Sequence, residues 1–357
     1  MNKQARILFI IHDVYQDANV FPLGISYLAS ILREEGHIVE IYCQDLYHYS
    51  NEELAEHLDD NNYDIIGVGF LAARFKETIV SLCDVINKHK KKAWLILGGH
   101  GPSPISEYVL KTTDADIVTI GEAEGTIVEI VREKNNMTYN LSNINGIAYR
   151  DDNKIIITDK KISVPDINSL PFPAWDLFPM EDYKKSIKIK GQKDGESSLA
   201  VLSARGCINK CNFCYRMEKG IRFREIDNFV LELKHLKDKY DISNFIFDDE
   251  MFISNQNRLL DFEKCLNKYN LDIRFFCSAR VDVINREIVE ILKRCGCSIL
   301  SLGLESLDNN VLKIMKKNTT AEDNIKAVET ILGIGGICVS LNFLWGNIGD
   351  TEDSLKK

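Results

Sequence analysis

Prolines are scarce in this chain, 7 among 357 residues, and four of them crowd between Pro165 and Pro179. That scarcity excludes a collagen-like or Pro-rich disordered polymer, and the bunching marks a linker. Basic charge is in deficit. Lys and Arg total 44 against 53 Asp and Glu, a formal charge of −9. An acidic chain lacks the electrostatic footprint of a general nucleic-acid binder. No apolar run approaches the roughly 18 residues of a membrane span. The N-terminal residues lead into a run of only five apolar ones, Ile7–Ile11, too short for a signal peptide. No internal repeat or low-complexity tract is present. These absences point to a cytoplasmic protein with no nucleic acid and no membrane as partner. What remains is globular: 45% hydrophobic and 27% charged residues, with length for two domains.

Cysteine is the one residue in surplus, with ten copies. In a reducing compartment these are not disulfides. Cys43, Cys83, Cys265, Cys277 and Cys338 lie among apolar residues and read as small buried hydrophobes. Cys207, Cys211 and Cys214 fall within eight residues, and Cys295 and Cys297 form a second close pair.

The first half alternates strand and helix. Strands are predicted at 6–11, 38–42, 65–70, 93–97 and 117–120. Helices are predicted at 21–35, at 51–58 with Ser50 as N-cap, and at 75–88. This spacing implies parallel βαβ units in a doubly wound sheet, whose ligands sit beyond the strands' carboxyl ends. The loops there are rich in glycine: Gly67-Val68-Gly69, Gly98-Gly99-His100-Gly101 and Gly121-Glu122-Ala123-Glu124-Gly125. Such glycines either let backbone approach a large planar or phosphate-bearing ligand or merely close tight turns. A hairpin follows at 144–158 around Asp151-Asp152-Asn153, then a linker at about 160–195 with a polar loop at 191–198.

The second half opens on an apolar strand, 199–203, running into Arg205-Gly206-Cys207-Ile208-Asn209-Lys210-Cys211-Asn212-Phe213-Cys214. Three thiolates so close converge on one metal centre. A structural zinc site takes four protein ligands. A [4Fe–4S] cluster on three cysteines leaves one iron open for an exogenous ligand. Cys295 or Cys297 as a fourth thiolate would favour zinc and a non-catalytic module. Further strands end in polar residues: Asp248-Asp249-Glu250, Arg280-Val281-Asp282, Glu305-Ser306 and Trp345-Gly346-Asn347. Helices between them are predicted at 229–239, 258–269, 286–293 and 321–332. This is a (βα) series with charged groups at the end that carries barrel chemistry.

The Cys-x3-Cys-x2-Cys loop, with Phe213 before its third cysteine, resembles the cluster-binding loop of the radical S-adenosylmethionine (SAM) superfamily. The resemblance implies that Cys207, Cys211 and Cys214 hold a [4Fe–4S] cluster whose open iron chelates SAM. Reduction by a donor such as a flavodoxin or ferredoxin then releases a 5′-deoxyadenosyl radical. It places Phe213 near the adenine, Glu305 of Gly303-Leu304-Glu305-Ser306 on the SAM amino group or ribose, and Arg280 on the SAM carboxylate. Asp248 and Asp249 match paired acids that contact SAM or substrate.

The stretches Phe21-Pro22-Leu23-Gly24, Gly98-Gly99-His100 and Gly121-Glu122, with the linker Leu170-Pro171-Phe172-Pro173-Ala174-Trp175-Asp176, resemble the cobalamin (B12)-binding domain fused to many such enzymes. Gly69, Gly98, Gly99, His100, Gly121 and Glu122 are then the cobalamin loops. The anaerobic magnesium-protoporphyrin monomethyl ester cyclase group shares this order. The implied fold is α/β: a flavodoxin-like, B12-binding domain over 1–140, hairpin and linker over 141–198, and a partial (βα)6-type barrel over 199–357. The implied reaction on a small-molecule substrate is cobalamin-assisted methyl transfer to an unreactive carbon, or a related radical cyclisation. Methylthiotransferases fit less well, since only Cys43 and Cys83 precede the linker. Two departures stand out. The Asp-x-His-x-x-Gly motif that ligates cobalt elsewhere is absent. The chain also stops at Lys357, in the helix start after Gly349-Asp350-Thr351, so a fragment lacking the sixth βα unit is expected.

Overall fold

The computed structural model describes residues 4–13, 20–71, 79–137, 140–152, 154–187 and 196–357. The start of the helix expected from 75 and most of the polar loop at 191–198 lie outside the described residues. Contacts divide the chain into two compact units, Met1–Ser186 and Ile187–Lys357.

The first unit is built on seven strands: β1 (Arg6–Ile11), β2 (Ile38–Cys43), β3 (Ile65–Gly69), β4 (Trp94–Gly98), β5 (Ile117–Thr119), β6 (Ile147–Asp151) and β7 (Lys154–Ile157). Their order is β2-β1-β3-β4-β5-β6-β7. The first five are parallel, and the hairpin β6–β7 continues the sheet antiparallel. Strand order reverses between β1 and β3, so right-handed crossovers place helices on both faces. Both faces are covered, and Ile7, Leu8, Ile10, Ile65, Ile66, Leu95 and Leu97 have no exposed surface. Ser50 caps the helix Asn51–Asp60 in a full capping box with Glu53, as its sequence suggests. Helices Ser106–Thr113 and Glu124–Asn136 were not singled out by sequence periodicity; the first makes the β4–β5 crossover and the second links β5 to the antiparallel β6.

Two motifs far apart in sequence meet in this unit. Phe21 lies against Trp175 and Phe178 at 4.8 Å each and against Tyr183 at 5.3 Å. Ala174 N–H donates to the Ser26 carbonyl at 3.0 Å, and Arg33 pairs with Asp176 at 2.9 Å. The Pro-rich stretch is thus an ordered strap. Its adhesion comes from buried aromatic area, each such ring contributing about 1.5–3 kcal/mol.

The second unit carries a five-stranded parallel sheet: β8 (Ser198–Val201), β11 (Asn244–Phe247), β12 (Arg274–Arg280), β13 (Cys297–Glu305) and β14 (Cys338–Phe343). Between β8 and β11 a separate antiparallel pair is inserted, β9 (Ala204–Cys207) and β10 (Gly220–Phe223). Consecutive parallel strands are neighbours, so every crossover turns the same way and the helices share one face. Those helices are Ile226–Tyr240, Gln256–Lys268, Arg286–Arg294 and Ala321–Ile334. Phe229, Phe247, Phe252, Phe262 and Phe275 fill the gap between helices and sheet, with Phe247 stacked on Phe275 at 4.4 Å. The opposite, inner face belongs to a barrel-type architecture and leaves the strands' carboxyl ends open for chemistry. Thr351 caps a short final helix, Glu352–Leu355, where a helix start was expected. Among the described residues, no helix is long and apolar enough to cross a membrane.

Candidate functional site

The three cysteines sit on the excursion between β9 and β10. Cys207 is the last residue of β9 and pairs with Gly220. Gly206 has φ +88°, and a Cβ there would run into the Gly220 carbonyl, so only glycine allows the two strands to close. The excursion is tied down at several points. Asn212 donates its N–H to the Met315 carbonyl at 3.0 Å and its Nδ2 to the Ile314 carbonyl at 2.8 Å. Arg216 donates to the Asn209 carbonyl at 3.0 Å.

The sulfurs are met by N–H donors. Cys207 Sγ accepts from Asn209 N at 3.5 Å and Nδ2 at 3.4 Å. Cys211 Sγ accepts from the Arg280 guanidinium at 3.8 Å. Cys214 faces solvent, and burial of its surroundings together with Cys211 pushes its thiol up, against the lowering pull of Lys317. Such donors suit sulfur ligands of a cluster that carries net negative charge.

The zinc alternative fails on geometry. Cys295 and Cys297 are buried at the amino end of β13, whereas the cysteine loop lies by the carboxyl ends. A nine-residue strand separates Cys297 from Glu305 by about 25 Å. Cys297 Sγ instead contacts the Ile299 carbonyl at 3.5 Å. Among the described residues, no three His, Cys, Asp or Glu side chains gather around one ion-sized point. Zinc needs its ligands so gathered, whereas a four-iron cluster takes each cysteine on a different iron.

Arg280 and Glu305 both come to this loop. Besides Cys211, Arg280 holds Asp282 through Nε and Nη2 at 3.0–3.2 Å and donates to the Lys317 carbonyl at 2.7 Å. Glu305 ends β13 beside a register shift and adopts φ +66°, a left-handed backbone costly for a non-glycine residue. Its carboxylate pairs with Lys317 at 2.7 Å, and both side chains are about nine-tenths buried. The Lys317 ammonium also lies 5.9 Å from the Phe213 ring centroid. Gly303 faces this pair: a Cβ there would sit 2.6 Å from Glu305 Oε1 and 2.9 Å from Lys317 Nζ. Sequence reading passed over Lys317. It lies twelve residues beyond Glu305, and nothing in its local pattern marks it.

The acids after β11 divide their work. Asp249 is buried and accepts from Ser203 N at 2.8 Å, Ser203 Oγ at 3.0 Å and the Ala204 N–H. Burial pushes its carboxyl up to about 7, against the pull of those donors. Glu250 accepts the Gly206 N–H. These two acids anchor the chain entering the cysteine loop. Asp248 is open to solvent, though dense surrounding protein displaces bulk water and raises its carboxyl. Among the described residues, no hydrogen bond or ion pair joins Asp248 to the cysteines.

In the first unit the glycine loops meet at one end of the sheet. Phe70 N–H donates to the Gly98 carbonyl, and Gly101 N–H to the Phe70 carbonyl, both at 3.0 Å. Ser103 Oγ donates to the Gly99 carbonyl at 2.8 Å and accepts from Gly121 N at 3.1 Å. Gly69, Gly98, Gly99, His100, Gly121 and Glu122 are therefore gathered. Part of the demand for glycine is internal: Gly99 has φ +98°, and its Cβ would lie 3.0 Å from the Phe70 carbonyl oxygen. Beside them, at the strand-order reversal, His12 hydrogen-bonds the Gly69 backbone, while its buried Nδ1 has no hydrogen-bond partner among the described residues. An orphaned nitrogen at a switch point fits a bound ligand there.

Residues 201–357 match the family model described as the radical SAM superfamily, and residues 11–131 that of the B12 binding domain. Residues 201–357 thus form a radical SAM domain and residues 11–131 a B12-binding domain. An uncharacterized methyltransferase of Pyrococcus horikoshii is 28% identical over 322 residues, which cover 88% of this chain and 67% of the relative. The anaerobic magnesium-protoporphyrin IX monomethyl ester cyclase of Rubrivivax gelatinosus is 26% identical over 373 residues, covering 99% and 64%. The chain thus spans about two thirds of the length of these curated relatives. Among solved structures, the cobalamin-dependent SAM radical enzyme OxsB bound to aqua-cobalamin and SAM superposes with a TM-score of 0.85 at 21% identity, over 99% of this chain and 51% of that one. This likeness establishes a shared fold. The radical SAM and B12-binding assignments agree with the architecture read from the loops, and the relatives' names favour an enzyme over a non-catalytic module.

Proposed function

We propose that this chain is the B12-binding and radical SAM portion of a cytoplasmic enzyme that splits SAM reductively and transfers a methyl group to an unreactive carbon of a small molecule. The observation that carries the reading is the cysteine loop with Arg280 against Cys211 Sγ and the Phe213–Lys317–Glu305 cluster beside it. Cys207, Cys211 and Cys214 would hold the [4Fe–4S] cluster on which SAM is bound. When bound, the cluster delivers the electron that breaks SAM into methionine and a 5′-deoxyadenosyl radical, and cobalamin carries the methyl group.

The chain's own residues orient these groups. Arg280 presents a planar fork suited to the SAM carboxylate while it donates to Cys211 Sγ. Glu305 accepts from the SAM amino group or ribose, and Lys317 holds that carboxylate in its strained position. Phe213 offers an aromatic face to the adenine. Asp249 and Glu250 fix the entry to the loop. The first unit would hold cobalamin at Gly69, Gly98, Gly99, His100, Gly121 and Glu122, with His12 Nδ1 offering a hydrogen bond. Reducing power comes from a flavodoxin or ferredoxin.

The test is anaerobic reconstitution with iron and sulfide, followed by SAM and reductant. Wild-type protein gains the broad visible absorbance of a cluster and produces 5′-deoxyadenosine. Cys207→Ala, Cys211→Ala and Cys214→Ala each abolish both. Retention of zinc in place of iron, or 5′-deoxyadenosine formation that survives all three substitutions, overturns the assignment. Added hydroxocobalamin should bind with a spectral shift, and its failure to bind removes the methyl-carrier part alone.

A further inference from the structure

We infer that the inner face of the second sheet is a recognition shelf for the hydroxyl groups of a polyhydroxylated small molecule, of sugar or nucleoside type. The inference rests on the radical SAM reading, which makes this face the substrate side. Its basis is register. In the parallel ladder Ser278 stands opposite Ser301, and Ser301 opposite Ser340. Phe247 stands opposite Cys277, so Asp248, one residue on, falls level with Ser278. Adjacent strands lie about 4.8 Å apart, so these four side chains form one row about 14 Å long.

Alternation sets the direction of the row. Phe247, Cys277, Leu300 and Leu302 are buried on the helix side. Their immediate neighbours Asp248, Ser278 and Ser301 therefore face the other way. Arg280 follows Ser278 on the same face of β12 and reaches Cys211 Sγ. The row thus lies one pleat deeper than the groups at the cysteine loop. One pleat deeper again, Ile246, Phe276 and Ile299 form an apolar floor by the same register.

The row has unused hydrogen-bonding capacity. Asn342 Nδ2 donates to Ser301 Oγ at 2.8 Å, and this buried hydroxyl keeps its own proton to donate. The hydroxyls of Ser278 and Ser340 and the carboxylate of Asp248 make no hydrogen bond among the described residues. An apolar macrocycle laid on the row would strip water from these groups and return nothing. Each stranded group weakens binding by roughly tenfold or more. A substrate bearing hydroxyls on successive ring carbons satisfies them, with Asp248 as acceptor and the serines as donor or acceptor.

The test is equilibrium dialysis of cluster-reconstituted protein at saturating SAM with three probes: glucosamine, uridine and protoporphyrin IX. Glucosamine or uridine should bind and protoporphyrin should not, and which of the first two binds separates a sugar from a nucleoside. Ser278→Ala and Ser301→Ala should each weaken binding about tenfold, and Asp248→Asn more. Ser298→Ala, whose hydroxyl donates to the Phe275 carbonyl at 3.1 Å toward the far end of the sheet, should stay within about twofold. The inference is overturned when neither polyhydroxylated probe binds, when protoporphyrin binds more tightly than both, or when the row substitutions change nothing. Production of 5′-deoxyadenosine by the same wild-type preparation keeps this outcome separate: a preparation that cleaves SAM yet fails these criteria refutes the shelf and leaves the radical SAM reading standing.

Discussion

Replacing Lys317 by Met strands the Glu305 carboxylate. In the native chain the two charges are 2.7 Å apart, with side chains 6% and 10% exposed. At an effective dielectric of about 20 such a pair attracts by about 6 kcal/mol. Desolvating both ions offsets most of that gain, so the intact pair contributes little net stability. The single substitution is different in kind. It keeps the desolvation of Glu305, and the strain of its φ at +66°, while removing the compensating charge. Loss of one member of a buried pair costs about 3–5 kcal/mol, a large share of a domain's total of roughly 5–15 kcal/mol. With a urea slope of about 2 kcal/mol per molar, the midpoint for the second unit falls by about 2 M. The double variant Lys317→Met/Glu305→Gln removes both charges and should recover to within about 1–2 kcal/mol of wild type. Hydrogen exchange of β13 peptides across a urea series reads this unit directly. A single variant within about 0.5 kcal/mol of wild type, or a double variant no more stable than the single, would show that water reaches the pair and that burial does not govern it.

Four other outcomes follow from the same structure. Gly303→Ala pushes a methyl group into the Glu305–Lys317 pair, and thermal unfolding should show a loss of about 1–3 kcal/mol. Tyr183→Phe removes one of the donors to the Asp45 carboxylate, the hydroxyl at 3.0 Å, at a cost of about 1 kcal/mol in the first unit. Burial pushes the Asp45 carboxyl up to about 7, so its contribution is fully present below about pH 4 and is lost as pH rises through 7. The first unit should lose on the order of 3 kcal/mol of stability between pH 5 and pH 8, read as a fall in melting temperature, and Asp45→Asn should flatten that slope. Gly99→Ala must hold φ +98° with its methyl against Phe70, and should both destabilise the first unit and weaken hydroxocobalamin binding, read by spectral titration.

Several elements were legible because their determinants are local. Strands Arg6–Ile11 and Asn244–Phe247 lie where apolar runs begin and end, and Ser50 announces its helix through a capping box complete within four residues. The cysteine loop was legible for the same reason, since ligand spacing within eight residues survives any tertiary arrangement. Helices Ser106–Thr113 and Glu124–Asn136 were not. Their apolar stripes are short, and tertiary packing rather than periodicity selects them.

Sequence alone was enough for the two architectures, written in strand–helix alternation, and for the superfamily, through the resemblance its short cysteine loop carries. Which side chains cooperate was settled by folding. Lys317 reaches Glu305 and Phe213 only through the turn after β13. Asp249 becomes an anchor, while Asp248 one residue away faces the inner side, because a strand turns successive residues to opposite faces. Cys295 and Cys297 leave the metal question because parallel strand polarity puts them at the wrong end of β13. The row of Asp248, Ser278, Ser301 and Ser340 depends on the register of four strands, a long-range quantity that no local window contains.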